Sequence, residues 1–370
     1  MKRLVTALTL VALVAPSAAQ AKGIDIARAL SKRASLIHGI AGDERLVFVT
    51  EPGIGVGTTP RVVALDRFTG REVAALPAPP GGFKLPFTLR VPESGHLVVL
   101  DSGSFPPPAA STVYDYRYRV DHRGFRAELV RTVNGPFGFT EDVEVLPNGE
   151  YVVSESVFGA LWLIGRDGGV RPGLVPAAPD QPLPGLSGCP FLPLPPDFRI
   201  DGLPFEPLGG FAPGVGSLAV RGGELYMSST CQGGVQKLKI KTLLDSSRPA
   251  AERAAEIQTV AKRQYPAESL KGITFNEFDR GDQWIYAGDP FRLQLIRIHS
   301  KTGKREVLSR NSRLFNFTVS TDFLPPLLPG LPNPLVTASD QEYRYAVLNA
   351  ALTEDMFDPP FIVGEYWRLG

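Results

Sequence analysis

The sequence predicts an all-β fold, a six-bladed β-propeller in which each blade has four antiparallel strands. Three observations predict it: a strand-like segment that recurs six times, turn residues between the copies, and the composition. The 370 residues include 38 glycines and 35 prolines, yet 43% of the residues are hydrophobic. This composition fits many short strands joined by turns in one large domain rather than a disordered chain.

The clearest copy of the repeat lies between Glu141 and Gly168. A strand at 143–146 is followed by the turn Pro147-Asn148-Gly149, a second strand at 151–153 and a third at 161–164. Asparagine and glycine favour the backbone conformations of tight turns. A hairpin pair of this size cannot bury its own faces, so it requires neighbours of the same kind.

The second strand of this unit has five further counterparts. All six share one polar residue, about four apolar or β-branched residues, and a small or polar pair. They begin at residues 45, 96, 150, 224, 283 and 344 and read RLVFVTE, HLVVLDS, EYVVSES, ELYMSST, QWIYAGD and RYAVLNA. The spacings are irregular but centre near 50 to 60 residues, which suits propeller blades with loops. Similar turns also occur in β-sandwiches, which are the alternative fold.

These copies divide the chain into blades. The predicted bounds are Leu36–Ala78, Phe83–Val133, the unit described above, Gly214–Val260, and Ser269–Leu308 extended by Arg313–Phe323, with a sixth blade beginning near Leu335. A short helical turn is expected at Ser246–Glu256, and a proline-rich loop at Pro325–Pro334 precedes blade six.

The segments near the two ends of the chain predict how the ring closes. The segment Phe361–Trp367 matches the third strand of a blade, so the last blade lacks an outer strand. We expect the segment 23–33 to supply it, because pairing the first and last segments leaves no open joint. A short helix is the alternative for this segment.

A proline-rich insertion runs from Pro172 to Pro213. Proline lacks the amide donor of a strand ladder, so the segment cannot be a central strand. It is also too apolar for a solvated linker. We expect a long loop over one mouth of the ring; a disordered insertion is the alternative.

The N-terminus predicts export. Residues 1–21 combine Lys2 and Arg3, a short apolar core and the small-x-small end Ala19-Gln20-Ala21, as in a signal peptide. The mature protein would begin at Lys22 and comprise the propeller over residues 22–370, secreted or periplasmic. No segment is long and apolar enough to predict a membrane span.

The two cysteines predict a disulfide, and the charge balance limits the kinds of binding partner. In an exported protein, Cys189 and Cys231 are expected to form a disulfide, with two separate buried thiols as the alternative. The formal net charge of +1 argues against nucleic acid as a partner. We expect a monomer that binds a small-molecule ligand or a protein partner.

Charged residues concentrate where a propeller places one of its mouths. Loops before first strands, and loops between second and third strands, meet at the same end of the channel. The candidates there are Glu51, Asp101, Glu141, Asp142, Glu155, Lys271, Asp289 and Asn349. Converging carboxylates would require a hard cation such as Ca²⁺, or basic partners. Alternatively, they are turn residues that accept hydrogen bonds from nearby amides. The four histidines are expected at the surface or at strand ends.

The segment TEDVEVLPNGEYVVSESVFGALWLI resembles blades of gluconolactonase/senescence-marker-protein-like propellers, as do GSLAVRGGELYMSSTCQGGVQKLKI and KGITFNEFDRGDQWIYAGDPFRLQLIRI. The resemblance implies six blades and a divalent cation held in the channel by Glu, Asn and Asp side chains before first strands. It also implies lactone hydrolysis in which the metal polarises the carbonyl group.

This chain departs from that pattern at most ligand positions. Glu141-Asp142 stands where the family has Asn-Asp, and Gly216-Ser217 where it has Asn-Gly. Lys271-Gly272 replaces Asp-Gly, and His38-Gly39 replaces Glu-Gly. A lysine would repel the cation, so we expect Lys271 to pair with Glu141 or Asp142 across the channel.

Two functional interpretations result. The first is an exported propeller that binds a ligand or partner at one mouth, related to the lactonases but with an incomplete metal set. The alternative is a metal-dependent lactone or ester hydrolase. In that case Glu141 and Asp142 would be catalytic and would ligate the metal, and Asp101, Glu155, Lys271, Asp289 and Asn349 would contact the ligand.

Overall fold

Six sheets of four antiparallel strands surround a central channel in the computed structural model of the chain, which confirms the predicted fold class. Each innermost strand contacts the innermost strands of both neighbouring blades, and those of blades one and six close the ring. The structure describes residues 24–55, 57–104, 110–178, 180–189, 194, 197–205, 213–265, 268–344 and 356–369.

The first three blades follow one another along the chain, each built from the channel outward. Blade one comprises β2 (Ile40–Gly42), β3 (Leu46–Glu51), β4 (Arg61–Asp66) and β5 (Glu72–Ala75); blade two, β6 (Pro86–Glu93), β7 (His96–Asp101), β8 (Thr112–Asp121) and β9 (Gly124–Asn134); blade three, β10 (Thr140–Val145), β11 (Tyr151–Glu155), β12 (Ala160–Ile164) and β13 (Val170–Leu174).

A small hairpin, β14 (Arg199–Ile200) and β15 (Leu203–Pro204), lies in the proline-rich insertion before blade four. Blade four comprises β16 (Val215–Arg221), β17 (Glu224–Ser229), β18 (Val235–Lys239) and β19 (Gln258–Ala261); blade five, β20 (Lys271–Phe275), β21 (Trp284–Asp289), β22 (Gln294–His299) and β23 (Arg305–Ser309); blade six, β24 (Thr318–Phe323), β25 (Leu335–Ser339), β26 (Phe361–Leu369) and β1 (Ile24–Arg33).

Helical segments are short in the part of the chain that the structure describes. The helices α1 (Ile240–Leu244) and α2 (Ala250–Ala254) connect the third and outer strands of blade four, and α2 lies within the helical turn predicted at 246–256. Two 3₁₀ turns occupy Pro290–Arg292 and Glu342–Arg344. None of the described helices is long and apolar enough to cross a membrane.

Apolar side chains pack between neighbouring blades, and the second strands are buried on both faces. Every residue of β3 and β11 is buried, because each strand lies in the middle of a sheet and is covered on either side by an adjacent blade. Strands buried on both faces read as nearly continuous apolar runs. This is why the second strand is the part of the repeat that is visible in the sequence.

The ring closes through the chain ends, as predicted. Strand β1 pairs antiparallel with β26 over the register Ile24↔Leu369 to Arg33↔Phe361, so the helical alternative for this segment is wrong. Arg28 Nε also donates to Glu365 Oε2 at 2.5 Å across the joint. The N-terminal segment therefore completes the last sheet and covers an edge that would otherwise be exposed.

The predicted start of blade six is wrong. Residues 318–323, assigned to the end of blade five, form the inner strand β24, and 335–339 form the second strand β25. The matching segment RYAVLNA begins at Arg344 in a 3₁₀ turn, and its remaining residues lie outside the described ranges. The loop at 325–334 therefore joins β24 to β25 within the blade, and its prolines obscured that hairpin.

A disulfide joins Cys189 to Cys231, as predicted, with a Cα–Cα distance of 5.5 Å. It connects the proline-rich insertion to the loop between β17 and β18. The described part of the insertion also packs Ile200 and Phe205 against Phe291, Phe317 and Tyr343. These three aromatic residues lie in loops at the start of inner strands or after second strands, so the insertion lies over that end of the channel.

Candidate functional site

The inner strands all begin at the same end of the channel, which we call the upper mouth. One side chain from each blade meets just inside it: His38, Thr88, Glu141, Ser217, Lys271 and Ser320, in blade order. The cavity between them has a volume of about 20 Å³. That volume holds roughly one water molecule and no organic ligand.

A β-bulge near the start of inner strands brings these groups inward. In β10 the register with β11 shifts between Thr140 and Asp142, so Glu141 has no residue directly opposite. The shift allows the adjacent residues Glu141 and Asp142 both to line the channel cavity. Register shifts also occur near the starts of β6, β16, β20 and β24, since a bulge re-aims the side chains that follow it.

Lys271 carries the positive charge at this level. Its Nζ lies 2.6 Å from Glu342 Oε2, on the 3₁₀ turn after β25. Glu141 attracts Lys271 as well and contributes, after Glu342, to raising the pKa of the lysine against the opposing effect of burial. The sequence predicted that Lys271 faces the channel, but the direct partner is Glu342 rather than Glu141 or Asp142.

Glu141 is the acidic group most suited to proton transfer at this level. Burial raises the pKa of its carboxyl group to about 6, although Lys271 acts in the opposite direction. Its Oε2 lies over Gly216 of blade four, at 2.3 Å from the position that a Cβ atom would occupy there. Glycine at 216 therefore leaves the space in which the Glu141 carboxylate lies.

Asp142 belongs to a buried ion pair one level deeper. Its Oδ2 accepts hydrogen bonds from Arg90 Nη2 and from the Leu218 amide, both at 2.8 Å. Arg90 also donates to Glu144 Oε2 at 3.1 Å and to the Leu218 carbonyl at 3.4 Å. The guanidinium group thus reaches from blade two to blades three and four. It separates an upper part of the channel from a lower part.

His38 is a channel residue that sequence reasoning missed. It is 7% exposed, its Nδ1 lies 3.0 Å from the Phe87 carbonyl oxygen, and its ring stacks on Phe87 at 3.6 Å between centroids. Burial and the charge of Lys271 lower the histidine pKa to about 3. The ring is therefore neutral, with Nδ1 protonated and Nε2 4.0 Å from Asp340 Oδ2. The pair His38-Gly39 before β2 was the available signal.

The acids after second strands do not enter this cavity. Asp101 accepts amide hydrogen bonds from Lys84 and Leu85, each at 2.7 Å. Glu155 accepts from the amides of Val157 at 3.1 Å and Phe158 at 3.0 Å. These contacts match the alternative that the sequence left open, in which such acids stabilise turns.

The remaining predicted acids are also engaged locally. Glu51 pairs with Arg33 at 2.7 Å and Arg61 at 2.6 Å. Asp289 accepts hydrogen bonds from the Tyr265 hydroxyl and from Gln294 Nε2. Asn349 lies outside the described residues. The predicted convergence of these acids with Glu141 and Asp142 around one cation is thus not what the geometry shows.

A larger cavity of about 210 Å³ opens on the lower side of Arg90. Its charged lining comprises Arg90, Glu144, Glu277 and Asp322, and its walls include Phe275. Arg90 is engaged by Asp142 and Glu144, and burial raises the pKa of the other two acids, Glu277 and Asp322, which favours their neutral forms.

The channel residues do not fit a divalent metal ion. Within the described ranges, no group of three His, Cys, Asp or Glu side chains has the arrangement needed to hold one. Asp142 is committed to Arg90, and the ammonium group of Lys271 lies where a cation would meet the acids of the upper level. A cation there would be repelled by both basic groups.

The likeness to known proteins lies in the fold. No protein-family model and no curated protein matches the chain. A gluconolactonase from Xanthomonas campestris is 12% identical, with a TM-score of 0.53 over 95% of this chain and 93% of that one. Regucalcin, a calcium-binding protein from Agrobacterium tumefaciens, is 12% identical with a TM-score of 0.53, over 93% and 94%. An aldose sugar dehydrogenase from Streptomyces coelicolor, bound to PQQ, is 13% identical with a TM-score of 0.52, over 95% and 100%.

Proposed function

We propose that this protein is an exported propeller that binds a small ligand or a protein partner at its upper mouth, without a metal ion in the channel. One observation carries the proposal: the channel just inside the mouth is filled by the protein's own side chains. The cavity that remains there measures about 20 Å³, so a ligand that arrives from the upper mouth has to bind above it.

The surface above the channel has the chemistry of a binding site. The insertion contributes Phe198, which is partly exposed and packs on the buried aromatic pair Phe205 and Phe291. The floor beside it carries the paired charges of Lys271 and Glu342. Binding sites typically combine apolar walls with a few fixed polar groups.

Two features support export. Residues 1–21 have the three parts of a signal peptide, and the chain contains a disulfide between Cys189 and Cys231. Structural disulfides persist in oxidising compartments and are rare in reducing ones.

A lactone or ester hydrolase is the second candidate, and one observation favours it. Glu141 faces the channel with a pKa raised by burial to about 6, which suits a general base near neutral pH. The metal that the family resemblance implies has no fitting ligand set, so we derive no metal-dependent step.

Calorimetric titration with CaCl₂, MnCl₂ and ZnCl₂, combined with an assay of D-glucono-1,5-lactone hydrolysis, separates the two candidates. We expect no stoichiometric metal binding and no hydrolysis. Hydrolysis of the lactone that Glu141→Gln abolishes, and that the exposed control Asp279→Ala retains, would instead establish the hydrolase.

Hydrogen exchange tests binding at the mouth directly. The protein is measured alone and with a panel of sugar acids, alkylamines and short peptides. At least one probe should protect residues 198–205 and 342–344, and Phe205→Ala should remove that protection. Phe323→Ala is the matched control, because Phe323 is also buried, with 4% of its surface exposed against 7% for Phe205, and lies at the far end of β24 from the mouth. Protection elsewhere, or by no probe, contradicts the proposal.

A further inference from the structure

The ammonium group of Lys271 lies among acids from two other blades. Glu342 Oε2 of blade six is 2.6 Å from Nζ. Glu141 of blade three and Asp340 of blade six are the other acids that attract it. Lys271 itself belongs to blade five, so the group joins parts of the chain that are distant in sequence.

The backbone on which Lys271 stands is fixed by both neighbouring blades. The next residue, Gly272, donates its amide to Ser217 Oγ of blade four at 2.8 Å. Its carbonyl accepts a hydrogen bond from Thr321 Oγ1 of blade six. The backbone beside Lys271 is therefore fixed by contacts with both neighbouring blades, which limits where the ammonium group can lie.

The Lys271 side chain is also shielded from solvent. It is 15% exposed and Glu342 is 23% exposed, whereas the lysine of the surface pair Lys304–Glu306 is 69% exposed. A charge pair removed from water interacts more strongly than a solvated pair, and each partner costs more to leave alone.

The other side chains near the Lys271 ammonium group add no second positive charge at that level of the channel. Burial and the neighbouring charge of Lys271 lower the pKa of His38 to about 3 and keep its ring neutral, with Nδ1 donating to the Phe87 carbonyl. The next basic group, Arg90, is engaged by Asp142 and Glu144 at the deeper level. Lys271 and Glu141 both line the cavity, and Lys271 is the positive charge that attracts Glu141, Glu342 and Asp340 alike.

We infer that Lys271 is the resident cation of the channel: its ammonium group neutralises the acids of blades three and six, so that the ring closes without a bound metal ion. The inference concerns the channel and holds whatever binds at the mouth. It predicts that a positive charge at this point, rather than a side chain of a given length, stabilises the ring.

Chemical rescue tests the inference. Lys271→Ala should lower the urea midpoint of unfolding by about 1 M. Addition of n-propylammonium should restore part of that loss, whereas 1-propanol, which is similar in size but uncharged, should not. The control Lys304→Ala should lose little and gain nothing from the amine.

Two further measurements cover the case in which Lys271→Ala does not fold. Lys271→Arg should retain most of the wild-type midpoint, and Lys271→Met should not. The wild-type midpoint should be the same in EDTA and in CaCl₂. Equal midpoints for Lys271→Met and wild type, equal rescue by amine and alcohol, or a wild-type midpoint raised by Ca²⁺ would each overturn the inference.

Discussion

At the scale of single residues, Gly272 sets the distance between blades five and six. Its φ is +57°, and a Cβ atom at this position would lie 2.5 Å from the Cα atom of Ser320. Gly222 has a nearly identical φ of +59° but lies in a turn with no atom within 4 Å of the Cβ position. Comparing substitutions at the two glycines therefore distinguishes the cost of backbone strain from the cost of a collision between blades.

We predict that Gly272→Ala destabilises the protein by about 3 kcal/mol, because strain and a collision with backbone atoms add. Gly222→Ala should cost only about 1 kcal/mol, since strain alone acts there. Urea denaturation of both variants measures the difference. Equal losses would show that blade six can move away from the added methyl group.

Glu155 makes stability depend on pH. Burial raises the pKa of its carboxyl group to about 7 from 4.5, although the amides of Phe158 and Val157 act in the opposite direction. The folded protein thus holds this proton more tightly than the unfolded chain. The resulting contribution to stability is complete below about pH 4.5 and is lost as the pH rises through about 7.

Between pH 5 and pH 8, the unfolding free energy of the wild type should therefore fall by up to about 3 kcal/mol more than that of Glu155→Gln. Denaturant titrations at several pH values provide the measurement. Glu93→Gln, at an exposed ion pair, is the control and should leave the slope unchanged. Parallel pH profiles for Glu155→Gln and wild type would contradict the prediction.

At the scale of elements, the insertion depends on one covalent contact and one apolar cluster. The disulfide joins residues that are 42 positions apart, and the hairpin β14–β15 packs its Ile200 against the cluster that contains Phe317. A cross-link over such a distance restricts the unfolded chain and stabilises the native one.

The double substitution of Cys189 and Cys231 by serine should lower the unfolding free energy by about 3 to 4 kcal/mol. Exchange of the amides at 198–205 should increase before global unfolding begins. The measurements are urea denaturation and hydrogen exchange, with reduced wild-type protein as the control. If exchange at 198–205 is unaffected, the apolar cluster alone holds the insertion in place.

At the scale of the whole molecule, β1 closes the ring. Its pairing with β26 joins residues at opposite ends of the described chain, from Ile24↔Leu369 to Arg33↔Phe361. Without β1, β26 would present an unpaired edge, which favours association with other chains.

A protein that begins at Ala34 should therefore unfold at a lower temperature and form oligomers, whereas one that begins at Ile24 should remain like the full-length protein. Calorimetry and size-exclusion chromatography compare the two. The same melting temperature and elution volume for both would mean that the other three strands of blade six suffice.

The architecture was predictable because its strongest signal is local. Second strands such as β3 and β11 are buried on both faces, and their apolar runs recur in the sequence. Ring closure followed from counting the strands of the last blade. The start of blade six has no such signal, because the proline-rich loop at 325–334 lies within its first hairpin, whereas such loops are more typical of a boundary between units.

Local patterns predicted five of the six second strands, closure by the N-terminal strand and the pairing of Cys189 with Cys231. Which charged groups meet in the channel follows from the folded ring alone, because the β-bulges of the inner strands set the direction of each side chain. The partner of Lys271, Glu342, comes from a turn in another blade. Such a neighbour is defined by the curvature of the ring and leaves no periodic trace in the chain.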